Sequence, residues 1–452
     1  MARLFGTDGI RGVANITPMS PEDVLALGRA AVAVLAPATL ENKPCFVIGR
    51  DTRLSSPMLE AALLAGFCSA GADIVCLGVL PSAAVAYLTQ RLGATAGAMI
   101  SASHNVYADN GVKFFASTGA KLDDHLEEAI EARLLVSDTV RCPITGEAVG
   151  GPRPWADPQQ QYLEFLKSTV QHNTLAPLRI GLDCANGAAS AVAPLLFTQL
   201  GAEVYVWHAM PDGRNINHQC GALYPEFLQQ HVVRLGLDVG FAFDGDADRL
   251  IAIDHTGCIL DGDYILAICA QDLYTSTEDT PRVVASTVMA NAGLERALRH
   301  QGIRLFKTPV GDKHVLQGMR QQGAILGGEP SGHVIFLKHL PTGDGLLTAI
   351  QILNIMLTQR LPLAELAEVL HKFPQVLMNV PMRERRDPLD FPAVQQAVEQ
   401  ASSALGDDGR VVVRLSGTEH VARVMVEGPE HMMVTALAQR IVNAITHELG
   451  LP

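Results

Sequence analysis

One pattern recurs three times along the chain: an apolar strand, a short polar loop, a helix, a glycine and a second apolar strand. The first copy runs from Cys45-Phe-Val-Ile-Gly-Arg-Asp-Thr-Arg53 to Gly71-Ala-Asp-Ile-Val-Cys-Leu77. The second runs from Leu178-Arg-Ile-Gly-Leu-Asp-Cys-Ala-Asn-Gly187 to Gly201-Ala-Glu-Val-Tyr-Val206, and the third from Arg282-Val-Val-Ala-Ser-Thr-Val288 to Gly302-Ile-Arg-Leu-Phe306. A switch from strand to helix periodicity and back predicts a βαβ unit, in which the crossover helix covers one sheet face.

Three such units exceed what one hydrophobic core organises in 452 residues, so several domains are expected. The Pro- and Gly-dense segment Gly150-Gly-Pro-Arg-Pro-Trp-Ala-Asp-Pro158 reads as a linker. A strand entering a turn at Ile251 to Gly257 and the Phe373-Pro374 step mark two further boundaries. The order then changes to a strand near Val376 to Pro381, a helix near Ala393 to Leu405, strands at Val411 to Arg414 and Ala422 to Glu427, and a final amphipathic helix. The expected domains are 1–155, 156–256, 257–373 and 374–452: three related α/β domains, then an α+β domain.

Composition narrows the partners. A formal net charge of -13 argues against nucleic acid and anionic membranes, whose binding relies on clustered Lys and Arg. The opening Met1-Ala-Arg-Leu-Phe-Gly-Thr-Asp8 has no apolar signal region and no apolar run reaches membrane-spanning length, which predicts a cytoplasmic protein. The eight cysteines show no CxxC pairing and most read as reduced, buried small hydrophobes, with Cys184 beside Asn186-Gly187 as a candidate loop thiol.

Chemistry concentrates in four loops. Asp244-Gly-Asp246-Ala-Asp248-Arg249 places three carboxylates at alternate positions directly after the apolar Val239-Gly-Phe-Ala-Phe243. Held together, such charges repel by roughly 4 kcal/mol per pair at an effective dielectric near 20. A bound divalent cation answers that repulsion, with Gly245 and Ala247 turned outward, and hard Mg²⁺ prefers oxygen donors; the competing reading is a solvated acidic turn. Strand-like Ala98-Met-Ile100 opens into Ser101-Ala-Ser103-His104-Asn105, a serine with the exposure a nucleophile or phosphoacceptor needs. Gly327-Gly-Glu329-Pro-Ser331-Gly-His333 suits polyhydroxyl recognition, with His333 able to shuttle a proton. Arg414-Leu-Ser416-Gly417-Thr418-Glu419, with Arg423, supplies guanidinium groups, hydroxyls and glycine amides suited to a phosphate; the alternative is a plain β-turn.

Taken in order, FGTDGIRG, SASHN, DGDADR, GEPSGH and SGTE resemble the α-D-phosphohexomutase superfamily over essentially the whole chain. FGTDGIRGVAN, DNGVKFF, DCANGAA, the stretch from Asn215-Ile-Asn217 to Cys220-Gly221, VGDKHVL and TGDGLLTA are closest in wording to its amino-sugar branch. The resemblance implies three α/β domains and a C-terminal domain around a central cleft. It implies a phosphoserine at Ser103, Mg²⁺ held by its phosphate with Asp244, Asp246 and Asp248, and Arg249 neutralising the phosphoryl group. Lys113 and His333, with Arg11 nearby, become proton-transfer groups, and Glu329 and Ser331 contact the sugar's 3- and 4-hydroxyls. Arg414, Ser416, Gly417, Thr418 and Arg423 hold the second phosphate. The implied reaction interconverts glucosamine 6-phosphate and glucosamine 1-phosphate through a 1,6-bisphosphate, feeding UDP-N-acetylglucosamine and cell-wall precursors. An activating kinase or a bisphosphate donor, and a homodimer, complete the implied partners. Val106 and His420 stand where the family usually has proline, and Pro330 where the amino-sugar branch commonly has glutamine. The competing activities are phosphomannomutase or phosphoglucomutase, a metal-dependent phosphatase, and an inactive phosphosugar-binding regulator.

Overall fold

In the computed structural model, residues 4–6, 8–36, 43–135, 144–276, 281–406, 409–415 and 421–450 are described. They form four sheets in two units, one spanning Met1–Met289 with Ile303–Glu368 and the other Ala290–Gly302 with Val369–Pro452.

The larger unit holds three sheets. The first comprises β1 (Ile10–Val13), β2 (Cys45–Arg50), β3 (Asp73–Val79), β4 (Ala96–Ile100) and β5 (Asp109–Ala116), in the order β1-β5-β4-β2-β3. The second comprises β6 (Arg179–Asp183), β7 (Glu203–Trp207), β8 (Val239–Phe243), β9 (Leu250–Asp254) and β10 (Ile259–Leu260), in the order β10-β9-β8-β6-β7. The third comprises β11 (Val283–Thr287), β12 (Arg304–Thr308), β13 (Leu326–Gly328) and β14 (Val334–Phe336), in the order β12-β11-β13-β14. All three share one plan. The strands of the βαβ repeat pair in parallel, a further strand joins in parallel on the other side, and its antiparallel neighbour follows through a hairpin. Mixed sheets of this kind answer the expectation from the repeat. Every residue of β4 and of β8 is buried, which explains why these strands read as continuous apolar runs rather than alternating ones.

Two local devices bring the elements together. The helices Pro21–Leu35 and Ser56–Ser69 cross where only glycine fits, since a Cβ on Gly66 would lie 2.3 Å from the Leu25 carbonyl oxygen. Around that crossing Leu27, Leu59, Leu63 and Phe67 join Phe46 and Ile48 in one core, each large side chain contributing about 2 kcal/mol by leaving water. The helix Gly345–Gln359 starts at Asp344, whose Oδ1 accepts from the Leu346 and Leu347 amides at 3.0 and 3.1 Å. Its other oxygen accepts from the Tyr162 hydroxyl at 2.8 Å, tying the helix Pro158–Ser168 to this start.

The smaller unit pairs β15 (Gln375–Pro381), β16 (Arg410–Leu415) and β17 (Val421–Glu427) antiparallel in the order β15-β17-β16. The helices Pro392–Leu405 and His431–Leu449 bury Val394, Leu405, Ile441 and Ile445 in the same cluster as Val424 and Val426, the α+β arrangement expected. The helix Ala292–His300, between β11 and β12, groups with this unit. The reason is local. Its Ala292 amide donates to Glu427 Oε1 at 2.5 Å, satisfying one of the unpaired helix-start amides with a carboxylate. The Asn291 side chain bonds the Phe373 amide and carbonyl at 2.9 and 3.0 Å, and Arg410 donates to the Ala290 carbonyl.

Burial pushes the Asp344 carboxyl from its ordinary 3.8 up to about 6, against the bonds from Leu347, Tyr162 and Leu346 that favour the anion. The native state therefore keeps a proton that the unfolded chain has released, and stability falls as pH rises through that window. Asp344→Asn keeps the cap acceptor and should flatten the slope, worth about 3 kcal/mol, in urea unfolding followed across it.

Candidate active site

The three shared hairpins carry the chemistry. Ser103 lies between β4 and β5, Asp244 to Arg249 between β8 and β9, and Glu329 to His333 between β13 and β14, the same topological position in each sheet. Two of the loops meet directly, since the Ser103 hydroxyl donates to Asp244 Oδ2 at 2.7 Å. Ser103 is fully buried at φ +52, not exposed as a phosphoacceptor loop suggests, because the acidic loop lies upon it. Gly245 and Ala247 are also turned inward rather than outward. A Cβ on Gly245 would come within 2.5 Å of the Ser103 carbonyl oxygen, and Ala247 is buried at φ +57. Small residues at these positions let the two loops touch.

Asp244, Asp246 and Asp248 are buried, with one oxygen from each within 4.8 Å of the others. Asp246 Oδ2 accepts from Ser82 at 2.5 Å and from Lys113 at 2.6 Å, and Asp244 Oδ1 from the Arg249 amide at 3.2 Å. Asp246 Oδ1 and Asp248 Oδ1 are buried without a hydrogen-bond partner. Two orphaned carboxylate oxygens in a buried oxygen-rich cluster fit a hard divalent cation and not a solvated turn. Burial, with Asp248 and Asp246 close by, pushes the Asp244 carboxyl well above the usual range. Burial would raise Asp248 too, but Lys113, His333 and Arg249 hold it well below.

Lys113, on β5, has an ammonium 2.6 Å from Asp246, 2.9 Å from Asp8 and 3.5 Å from Asp248. Burial would lower its pKa, and those carboxylates raise it well above the ordinary lysine value, so Lys113 holds its proton. Buried His333 has Nδ1 3.5 Å from Asp248 and Nε2 3.5 Å from Asp312. Its Nε2 accepts from the Gly343 amide at 3.0 Å, which assigns the proton of the neutral ring to Nδ1, facing Asp248. Glu329 Oε1 accepts from the Gly311 amide at 3.0 Å. Arg11 Nε, Arg249 Nε and Ser331 Oγ are further buried atoms without hydrogen-bond partners, so polar capacity without a protein partner gathers around the predicted residues of this unit.

Residues outside the expected set hold these in place. Arg53 is wholly buried and donates to Asp51, to the Asp109, Ser103 and Asn105 carbonyls at 3.0, 2.9 and 2.8 Å, and to the Val106 carbonyl. This clamp fixes the serine loop through its carbonyls, that of Val106 included. Asn217 Nδ2 grips the Ser103 and Asn105 carbonyls at 2.8 and 2.9 Å from the second sheet's loops. Lys121 bridges Asp8 and Asp312, linking the N-terminal loop to the third sheet's VGDK turn. The signal was present in the GRDTR, NIN and VGDK wording, but residue type alone does not say which carbonyl a guanidinium reaches.

In the smaller unit Arg414 stands directly opposite Arg423 across β16 and β17, and burial together with that neighbouring charge pulls Arg414 below the ordinary arginine value. Two like charges side by side suit an anion. Ser416, Gly417 and Thr418, with His420, lie outside the described residues. Cys184 is no loop thiol: it is fully buried, and burial pushes its pKa up.

Four family models, described as phosphoglucomutase/phosphomannomutase domains I, II, III and C-terminal, match residues 2–140, 160–257, 261–373 and 377–444. The chain belongs to the phosphoglucomutase/phosphomannomutase family. Similar relatives include the phosphoglucosamine mutases of Syntrophomonas wolfei, 47% identical with 98% of this chain and 99% of that protein covered, and of Brevibacillus brevis, 47% identical with 99% and 100% covered. A phosphoglucomutase/phosphomannomutase family protein from Burkholderia thailandensis superposes with a TM-score of 0.82 at 25% identity, covering 99% of both chains. Among the described residues no helix is long and apolar enough to cross a membrane.

Removing the buried guanidinium takes the cation from Asp51 and a donor from each of the Val106 and Asp109 carbonyls, while Asn217 still holds those of Ser103 and Asn105. Arg53→Met should lower unfolding stability by about 3–5 kcal/mol, measured by denaturant titration with Arg53→Lys as a partial rescue.

Proposed function

We propose that the chain is a phosphoglucosamine mutase, interconverting glucosamine 6-phosphate and glucosamine 1-phosphate through phosphorylated Ser103 and a 1,6-bisphosphate. One observation carries the reading: the Ser103 hydroxyl, 2.7 Å from Asp244, stands inside a buried carboxylate trio with orphaned oxygens. The names of relatives nearly half identical over full length support the substrate.

A sugar hydroxyl attacks the phosphorus of phospho-Ser103 in line, a new P–O bond forms, the bond to Oγ breaks, and the hydroxyl's proton ends on Oγ. The bisphosphate turns over and its other phosphoryl group returns to Oγ. When bound, Mg²⁺ at the phosphate, Asp244, Asp246 and Asp248 supplies charge neutralisation. Arg249 adds a guanidinium beside Asp248. Lys113 holds a proton at Nζ and His333 one at Nδ1, so both are stationed to exchange protons with the sugar hydroxyls, with Arg11 on Asp8 alongside. Glu329 and Ser331 orient the 3- and 4-hydroxyls. Arg414, Ser416, Gly417, Thr418 and Arg423 are assigned to the non-reacting phosphate by their chemistry. A bisphosphate activator or a kinase primes Ser103, and the setting is cytoplasmic supply of UDP-N-acetylglucosamine. Domain limits at 1–155, 156–256, 257–373 and 374–452 belong to the same reading.

Ser103→Ala should abolish turnover, and phosphopeptide mass spectrometry of the native protein should find phosphate on Ser103; turnover by the alanine variant would overturn the assignment. Chelation should remove activity and Mg²⁺ restore it. Because Pro330 departs from the amino-sugar wording, hexose 6-phosphates are the competing substrates. Side-by-side kcat/KM should favour glucosamine 6-phosphate over the glucose and mannose 6-phosphates.

A further inference from the structure

Behind the acidic loop lies a second cluster of different chemistry. Asp183 ends β6, His208 follows β7, and Cys220 lies in the loop that also carries Asn217; one ligand atom from each falls within 4.8 Å of the others. His208 Nδ1 is 2.9 Å from Asp183 Oδ2. Asp183 and Cys220 are buried while the His208 side chain is 26% exposed, leaving a way in from solvent on one side.

We infer that Asp183, His208 and Cys220 form a binding site for a borderline transition-metal ion of the Zn²⁺ class, distinct from the all-oxygen site of Asp244, Asp246 and Asp248. Mixed oxygen, nitrogen and sulfur donors select such ions, whereas Mg²⁺ prefers oxygen alone. Three protein ligands leave a fourth position for water on the His208 side. On uptake the S–H bond breaks and its proton passes to solvent, a sulfur–metal bond forms, and the ring proton that His208 holds at Nδ1 against Asp183 moves through solvent to Nε2, freeing the Nδ1 lone pair for the metal; one carboxylate and one thiolate then balance the dication.

The site bears on the serine loop. A Cβ on Gly221 would lie 2.4 Å from the carbonyl oxygen of Phe243, the residue before Asp244, and Asn217 grips the Ser103 carbonyl. An ion here therefore pins the segment that positions Ser103.

The test adds Co²⁺ to metal-stripped, full-length protein whose acidic loop is saturated with Mg²⁺. A thiolate-to-cobalt charge-transfer band should rise to one equivalent, vanish in Cys220→Ala, and require at least about tenfold more Co²⁺ in His208→Ala, whose partly exposed position tolerates truncation. Zn²⁺ should displace the Co²⁺ and raise the thermal midpoint of the wild type but not of Cys220→Ala. No band in the wild type, or a band that persists in Cys220→Ala or is unchanged in His208→Ala, overturns the site. Mutase turnover with Mg²⁺ is measured separately, so this result and the proposed reaction stand or fall independently.

Discussion

Buried like charge is the constraint around which the larger unit is arranged. Asp244, Asp246 and Asp248 would repel one another too strongly to be buried unless cations faced them. The chain answers with the cations Lys113 from the first sheet and Arg249 from the same loop, and with the His333 Nδ1–H of the third sheet facing Asp248. Asp8 and Lys121 extend the alternation of sign outward to Asp312. Because Lys113 and His333 come from the first and third sheets, the trio meets these partners only when all three hairpins converge. Electrostatic compensation and domain assembly are thus one event here.

The repeated topology makes that convergence economical in sequence. Each α/β sheet ends its parallel run in a hairpin, and each hairpin carries a different tool: a hydroxyl, a carboxylate trio, and a carboxylate–hydroxyl–imidazole set. In the proposed reaction these three sets become the phosphoacceptor, the cation site and the polyhydroxyl reader. Rigid strands position all three, with loops free to differ.

Where the chain departs from its family's wording, tertiary contacts take over. Val106 lacks the ring that would stiffen the serine loop, yet Arg53 holds the carbonyl of that same residue and those of Ser103, Asn105 and Asp109. A charged group fully removed from water is justified by five acceptors converging on it. The start of the helix Ala292–His300 is likewise held by groups distant in sequence, the Glu427 carboxylate and the Phe373 amide.

Strands, helices, the threefold repeat and the placement of Ser103 and Asp244 at strand ends were legible in the linear order, since periodicity and turn residues act over a few neighbours. Contacts such as Ser103 to Asp244, Asn217 to Ser103 and Lys121 to Asp312 span more than a hundred positions each. No local rule registers them. The inward turn of Gly245 and the full burial of Ser103 belong to the same class, because both depend on how closely two loops approach. Residue types and their spacing thus settled which chemical groups each hairpin presents. Which groups face one another, and with what charge, followed from packing, because burial and Coulomb energy depend on distances that exist only after the sheets have docked.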